Sequence, residues 1–143
     1  MIKNKTCFMK KIELSKIITF NKLVDSLKLD KLSGKDKYTI LKIFRKLKLV
    51  GTEFDEFKKD VINKYVSTDE CKEALEKSNN GDEEAKKRLD EINNEVNNII
   101  YMELTSEKEI DIDSVSEDMF INFIDSNGEL KVSDNLLLEE ILL

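Results

Sequence analysis

The sequence contains no histidine, proline or tryptophan, only two cysteines and only four glycines. Histidine is the usual general base near neutral pH and a common zinc ligand, so its absence removes the commonest catalytic and metal-binding arrangements. Cys7 and Cys71 lie 64 positions apart, which favours two free thiols over a paired site. No glycine-rich loop is present to hold a phosphate group. We therefore expect no enzymatic activity, no cofactor and no bound metal.

Long apolar runs are also missing. A helix that spans a bilayer needs about 20 consecutive apolar residues, and no stretch approaches that length. The first residues, MIKNKTCFMKK, carry charge where a secretory signal would be apolar. We expect a soluble, intracellular protein that is not secreted and has no transmembrane segment.

Charge divides the chain into two halves. Residues 1–50 carry 14 Lys or Arg against 4 Asp or Glu, a net charge of +10, whereas residues 51–143 carry 10 against 26, a net charge of −16. The length of 143 residues suits one domain, so we expect a single domain over residues 1–143 with a basic half and an acidic half. Such a division predicts charge-complementary contact, within one chain or between neighbours, or a nucleic-acid surface on the basic half.

Apolar residues at helical spacing predict several helices. Ser15 is a candidate cap for a first helix, and Asp82 is a candidate cap for a later one. Between them, residues 67–78 form a weaker, charged helix that Ser67 or Thr68 caps. The apolar faces of the first and later helices consist of Ile17, Phe20, Val24 and Leu27, and of Ala85, Leu89, Ile92, Val96 and Ile99.

The segment KLKLVGTEFDEF, residues 46–57, has two interpretations. Gly51 followed by Thr52 and Asp55 resembles a helix end and a new helix cap, which would give an αα-hairpin. However, the apolar stripe keeps its helical phase on both sides of Gly51, so we favour one helix from about residue 36 to 66, about 45 Å long. A glycine on its buried face predicts a neighbouring backbone close to that point. The stripe consists of Ile40, Phe44, Leu47, Phe54, Phe57, Val61 and Tyr65.

Two strand-like patterns predict a small sheet. EIDID, residues 109–113, alternates polar and apolar residues as a half-buried strand does, and KKIEL, residues 10–14, is a candidate partner strand. In that pairing, lysines would face carboxylates across the ladder. Asn127-Gly128, between residues 120–124 and 129–132, predicts a β-hairpin.

The C-terminal residues predict a last helix from about Asp134, capped by Ser133 and apolar on almost every side. A helix of this kind must be buried against its own core or against another chain. Its candidate contact residues are Leu137, Leu138, Ile141 and Leu142. The resulting fold class is mainly α with a small β element, an elongated helical domain with one long central helix and a short antiparallel sheet or hairpin.

Two charged groups are candidate binding sites. Glu109, Asp111 and Asp113 place three carboxylates on one face of a strand, where a divalent cation is an alternative to a solvated face, and we favour the solvated face. Around the start of the long helix, lysines could neutralise phosphates, although Lys outnumbers Arg 22 to 2 and no nucleic-acid motif matches. The basic candidates for interaction are Lys31, Lys35, Lys37, Arg45 and Lys46.

The order of these segments resembles small phage-encoded, mainly helical proteins of unknown function. The resemblance rests on KIELSKIITFNKLVDSLKL, KYTILKIFRKLKL, EFKKDVINKYV, EINNEVNNII, EIDIDSVSEDM and SDNLLLEEILL. It implies a virion component, an assembly factor or a host-directed protein, located in the virion or the host cytoplasm, and it transfers no functional residue. The extra Asn-Gly segment at residues 125–128 departs from the pattern.

We therefore expect a non-enzymatic protein that works by protein–protein contact, in a phage particle or in its assembly as a ring, collar or packaged protein. Its partners would be other protein chains, including copies of itself in a symmetric assembly, and no membrane. The alternatives are a small inhibitor of a host enzyme, whose acidic surface imitates nucleic acid, and an accessory protein that binds nucleic acid through its basic half.

Overall fold

The computed structural model describes residues 7–143, with side chains from Met9 onwards, and it is mainly helical with one small antiparallel sheet. The prediction of a mainly α protein with one long helix and a short sheet is confirmed. A short 3₁₀ helix, Val24–Ser26, follows the first α-helix. The elements in chain order are β1 (Cys7–Glu13), α1 (Leu14–Leu23), α2 (Gly34–Val66), α3 (Asp69–Asn79), α4 (Glu83–Leu104), β2 (Glu107–Asp113), α5 (Glu117–Ser126) and α6 (Val132–Leu142).

The described chain groups into two compact units. Unit 1 consists of the residues up to Gly51 together with Glu107–Leu143, and unit 2 consists of Thr52–Ser106. The helix α2 supplies residues 34–51 to unit 1 and residues 52–66 to unit 2. One domain over residues 1–143 stays a prediction, and the two units are described separately below.

The core of unit 1 contains side chains from both strands and from α1, α2, α5 and α6. Phe44 contacts two other aromatic rings of this core and lies edge-on to Phe20 at 5.4 Å and to Phe123 at 6.2 Å between ring centroids. Such edge-to-face pairs add to the free energy gained by burying the rings. The other buried members are Ile12, Ile17, Leu32, Ile40, Ile43, Leu47, Ile110, Ile112, Val115, Leu138, Ile141 and Leu142.

The two strands pair antiparallel, as the sequence predicts. Lys11 lies opposite Glu109, with 3.9 Å between Nζ and Oε1, and is the predicted lysine–carboxylate pair. Lys10, in contrast, lies opposite Ile110, and its Nζ donates to the carbonyl of Ile141 at the end of α6. Burial lowers the pKa of Lys10. Leu14, predicted to end the first strand, instead begins α1, which leaves Glu13 and not Ser15 at the N-cap position.

The helix α2 continues without interruption through Gly51, so the αα-hairpin alternative is wrong. A neighbour does approach Gly51, but it is a side chain and not the predicted backbone. A Cβ at this position would lie 2.8 Å from Nδ2 of Asn21. That Nδ2 donates to the carbonyl of Leu47 at 2.9 Å, one turn before Gly51. The missing side chain at residue 51 therefore leaves the space that Asn21 needs to reach the helix backbone.

Unit 2 consists of three helical segments: residues 52–66 of α2, α3 and α4. Thr68 caps α3 by accepting from the amide of Cys71, and Asp82 caps α4 by accepting from the amides of Glu84 and Ala85. Both caps are among the predicted ones. The buried cluster is small and consists of Cys71, Ile92 and Val96, with Val61, Tyr65, Leu89 and Ile100 partly buried against it.

The predicted hairpin at Asn127-Gly128 is wrong. Residues 117–126 form α5, and Asn127 follows as its C-terminal cap residue with a buried side chain. The last helix begins at Val132, before the predicted cap Ser133, and no side chain caps it. The physical reason for the first error is tertiary: the side-chain amide of Asn127 bonds to the backbone of Lys28, 99 positions earlier.

We predict that the stability effect of Gly51→Ala changes sign with the residue at position 21. Alanine favours a helix over glycine by about 1 kcal/mol. With Asn21 present, the new Cβ displaces the amide and removes its bond to Leu47 at a cost of about 2 kcal/mol, so Gly51→Ala should give a net destabilisation of about 1 kcal/mol. In an Asn21→Ala background, the same change should stabilise by about 1 kcal/mol. Urea unfolding of the four variants measures this coupling.

Equal stabilisation by Gly51→Ala in both backgrounds would show that Asn21 does not constrain the helix at this point.

Candidate interaction surfaces

The predicted basic residues lie at the start of α2 and in the turn before it. Lys31, Lys35, Arg45 and Lys46 are exposed, and Lys37 is half-buried. Lys46 is not only a surface charge, because its Nζ donates to the carbonyl of Asp111 in β2 at 2.5 Å. Of the five residues, Lys46 therefore also ties α2 to the sheet.

The apolar side chains of α6 pack mostly into the core of unit 1. Leu138, Ile141 and Leu142 are almost fully buried there, and Leu137 packs against the same cluster. Of the two predicted burial modes, the helix thus adopts the one against its own core. The first three residues stabilise unit 1 and would have to leave it to contact a partner. The exposed apolar residues at this end of the chain are Val132, Leu136 and Leu143.

Two of the three carboxylates of β2 pair with lysines. Asp113 accepts an ion pair from Lys42 at 2.6 Å, and Glu109 pairs with Lys11 across the sheet. Among residues 7–143, no group of three or more acidic, cysteine or histidine side chains is arranged to hold a metal ion. The polar face of β2 therefore carries two carboxylates that pair with lysines.

Opposite charges from the two ends of the chain meet inside unit 1. The lysine contacts of Asp113, Glu109 and the Asp111 carbonyl all come from residues 1–51. Lys16 of α1 forms a fourth such contact with Glu140 of α6, and this hydrogen bond raises the pKa of Lys16. The predicted charge-complementary contact within one chain is thus present.

The net charge consequently falls on unit 2. The sequence of unit 1 holds 16 Lys or Arg against 15 Asp or Glu, a net charge of +1, and unit 2 holds 8 against 15, a net charge of −7, which together give the chain its −6. The grouping into a basic and an acidic half of the sequence does not describe the folded units. Unit 1 is almost neutral, and unit 2 is strongly acidic.

The side chains of Ser126 and Asn127, at the C-terminal end of α5, hold the turn before α2 in place. This turn carries Lys28 and Lys31. Asn127 accepts from the amide of Lys28 at 2.7 Å and donates to the carbonyls of Lys28 and Phe123 at 2.8 Å. Ser126 accepts from the amide of Lys31 at 2.9 Å. Both side chains are buried, so these bonds are shielded from water. The lysine side chains of this turn are exposed on a fixed backbone.

A cleft opens in unit 2 between the second part of α2 and α4. Phe57, Val61 and Tyr65 form one wall, and Ile92 and Ile99 form the other. Its volume is about 550 Å³, which is within the range of protein binding sites. Lys64, Thr68, Glu70, Arg88 and Glu95 complete the lining. The cleft is thus an apolar groove with a charged rim.

Arg88 organises the rim of this cleft. Its guanidinium group bonds to Glu70 of α3 at 2.6 Å and to Glu91 and Glu95 of α4 at 3.2 and 3.5 Å. The hydrogen bond from Arg88 lowers the pKa of Glu70, and the same bond raises the pKa of Arg88. Among the residues that line the cleft, Glu70 and Glu95 are matched in number by Lys64 and Arg88, so the negative charge near the cleft comes from unit 2 as a whole.

The cleft was not predicted from the sequence. Its α2 wall belongs to the stripe that includes Phe57, Val61 and Tyr65, and the periodicity of that stripe indicates a buried face. In unit 2 these three residues are only partly buried. The signal available in the sequence was the scarcity of apolar residues in α3, where Cys71, Ala74 and Leu75 provide little surface to cover them.

Of the two cysteines predicted to be free thiols, the structure describes the side chain of one. Cys71 is a free, buried thiol in unit 2. The side chain of Cys7 lies outside the part of the chain whose side chains are described.

Within residues 7–143, none of the helices combines the length and apolar content needed to cross a membrane.

Comparison with known proteins gave no match: no protein-family model, no curated protein and no solved structure matches this chain.

We predict that Asn127→Asp destabilises the protein by about 3 kcal/mol or more, because it buries a carboxylate against two carbonyl oxygens and removes their donor. Asn122→Asp is the matched control, since Asn122 is an exposed residue of α5, the helix that Asn127 follows, and the charge change is identical. The control should change stability by at most about 0.5 kcal/mol. Urea unfolding at neutral pH measures both variants, and equal losses would contradict a role for Asn127 in fixing the turn.

Proposed function

We propose that this protein works without catalysis, by protein–protein contact, and that the cleft of unit 2 is its binding surface. A groove between two helices with an apolar floor and a charged rim is the usual receptor for an amphipathic helix. The cleft matches this description, because Phe57, Val61 and Ile99 supply apolar walls and Glu70 and Glu95 supply part of the rim. This cleft is the single observation that carries the proposal.

The chemistry of the partner follows from the charge of unit 2. A net charge of −7 attracts basic segments and repels acidic ones over a distance of about a Debye length. The apolar walls of the cleft then require that one face of the basic segment carries apolar residues. The partner is therefore a basic amphipathic helix of another protein chain.

The biological setting that we propose is a phage particle or its assembly, as a ring, collar or packaged protein. The resemblance of the segment order to small phage-encoded helical proteins supports this setting. A protein of this kind would act in the virion or the host cytoplasm. The exposed apolar residues outside the cleft, such as Tyr38, Leu41 and Leu49, support a role in an assembly, because surfaces of this kind are commonly covered by partners.

A second candidate function is inhibition of a host enzyme by an acidic surface that imitates nucleic acid. The concentration of negative charge in unit 2 favours it. Such an inhibitor would bind one host protein tightly without self-association. Nucleic-acid binding by the basic residues is less favoured, because Lys42 and Lys46 are engaged by the acidic C-terminal segment.

The proposal is tested with a labelled synthetic helix whose leucines lie at positions i, i+3, i+4, i+7 and i+11 and whose other residues are mainly lysine. We expect it to bind, and to bind at least about tenfold more weakly when salt rises from about 0.05 to 0.5 M. A glutamate-for-lysine analogue should bind at least about tenfold more weakly at low salt. Fluorescence anisotropy measures both peptides.

Cleft specificity is tested in the same assay with Ile99→Lys, which places a like charge in the groove. Met102→Lys is the matched control, because Met102 is an exposed residue of the same helix outside the cleft. Ile99→Lys should reduce affinity for the lysine peptide by about tenfold or more, and Met102→Lys should have a much smaller effect. The proposal is wrong if both peptides bind equally or if the two variants behave alike.

A further inference from the structure

The helix α2 carries a second apolar face, opposite to the one that enters the core of unit 1. Tyr38, Leu41 and Leu49 are 57%, 45% and 59% exposed and lie within a sector about 80° wide, at 3.6 residues per turn. We call these three residues the outer ridge. Arg45 lies within the same sector, and both it and Lys48 beside it are exposed. The outer ridge is thus one face of a basic amphipathic helix that unit 1 itself leaves in contact with solvent.

The outer ridge matches the cleft in length. From Tyr38 to Leu49 the helix rises by about 16 Å, and from Arg88 to Ile99, along one wall of the cleft, the rise is also about 16 Å. The ridge is a row of large side chains on a helix, and the cleft is the space between two helices. Ridges of this kind pack into such grooves when helices associate.

The two surfaces also match in chemistry. Apolar residues of the ridge would meet Phe57, Val61 and Ile99, and the guanidinium of Arg45 would meet the rim carboxylates of Glu70 and Glu95. Unit 1 as a whole has a net charge of +1, so it is not repelled by unit 2 with its −7. Length, polarity and charge therefore point to the same occupant.

We infer that the cleft of one copy receives the outer ridge of a second copy of this chain. This inference rests on the proposed function and names the partner of the same cleft. Because the ridge and the cleft are different surfaces, the contact is heterologous, and each copy keeps one free ridge or one free cleft for the next. The chain assembles head to tail, into a ring where the rotation closes and into a filament where it does not.

We expect micromolar affinity for a contact made by one ridge of three large side chains, so association should depend on concentration in that range. Light scattering after size exclusion, from about 5 to 500 µM protein, should show masses that rise beyond a dimer at low salt and fall towards the monomer of 16.6 kDa as salt rises. A monomer over the whole range at low salt would overturn the inference.

Complementation between two variants is the sharper test. Variant A, Leu41→Glu with Leu49→Glu, loses the ridge and keeps the cleft, whereas variant B, Ile99→Lys, loses the cleft and keeps the ridge. Each should be monomeric alone, with an unchanged circular dichroism spectrum. Mixed in equal amounts, they should form a species of twice the monomer mass and no larger, because only one intact ridge and one intact cleft remain per pair. Failure of the mixture to associate would overturn the inference.

The matched control for variant A is Ile121→Glu with Leu136→Glu, which changes two other exposed aliphatic residues of unit 1. This control should assemble as the unmodified chain does, and loss of its assembly would overturn the assignment to the outer ridge. Variant A should still bind the lysine–leucine peptide. If it binds the peptide and the unmodified chain never self-associates, the inference fails while the proposed function stands; if it does not bind the peptide, both fail.

Discussion

The pairing of β1 with β2 is the contact on which the rest of the structure depends. It joins residues about 100 positions apart in the sequence, so helices α1 to α4 all lie between the two strands along the chain. Individual exposed ion pairs add little to stability, so the burial of Ile12, Ile110 and Ile112 supplies most of the free energy of this contact. Of the lysine contacts, only that of Lys11 with Glu109 joins the two strands, whereas those with Asp113 and Glu140 connect α2 to β2 and α1 to α6. Apolar burial therefore both stabilises the pairing and fixes its register.

One consequence concerns the distribution of charge. Because the acidic C-terminal segment folds with the basic N-terminal one, the charges of unit 1 nearly cancel, and the net negative charge is left on Thr52–Ser106. A second consequence concerns α2. Because Gly51 has no side chain, Asn21 reaches the helix backbone while the helix remains continuous. The same helix therefore contributes residues to the core of unit 1, to the outer ridge and to one wall of the cleft. Our functional proposals depend on these two consequences.

Much of the fold could be predicted from local pattern. The apolar stripe of α2 keeps one phase across Gly51, and only a continuous helix explains that regularity, as the structure confirms. The alternation in EIDID and the caps at Thr68 and Asp82 are equally local signals. The prediction of a hairpin at Asn127-Gly128 was wrong because an asparagine suits a buried position as well as a tight turn. Here the side-chain amide of Asn127 is buried and bonds to Lys28, which is distant in sequence. The burial of Leu138, Ile141 and Leu142 against their own core also required tertiary contacts.

The candidate site was the least predictable part. The apolar residues of the cleft were visible in the sequence, but whether a neighbouring helix covers them depends on how α3 and α4 pack, which no periodicity specifies. Likewise, Tyr38, Leu41 and Leu49 look like incidental apolar residues until the core-facing side of α2 is known. The predicted basic residues remain predictions for partner contact, and Arg45 among them lies within the sector of the outer ridge.

The strand register is the most direct test of this account, because a shift by one residue would turn Ile110 and Ile112 out of the core and Asp111 into it. Nuclear Overhauser contacts between β1 and β2 in solution report it. The account predicts cross-strand proton contacts that pair Met9 with Asp111 and Lys11 with Glu109. Contacts that place Lys10 opposite Glu109 or Asp111, or no cross-strand contacts at all, would contradict it.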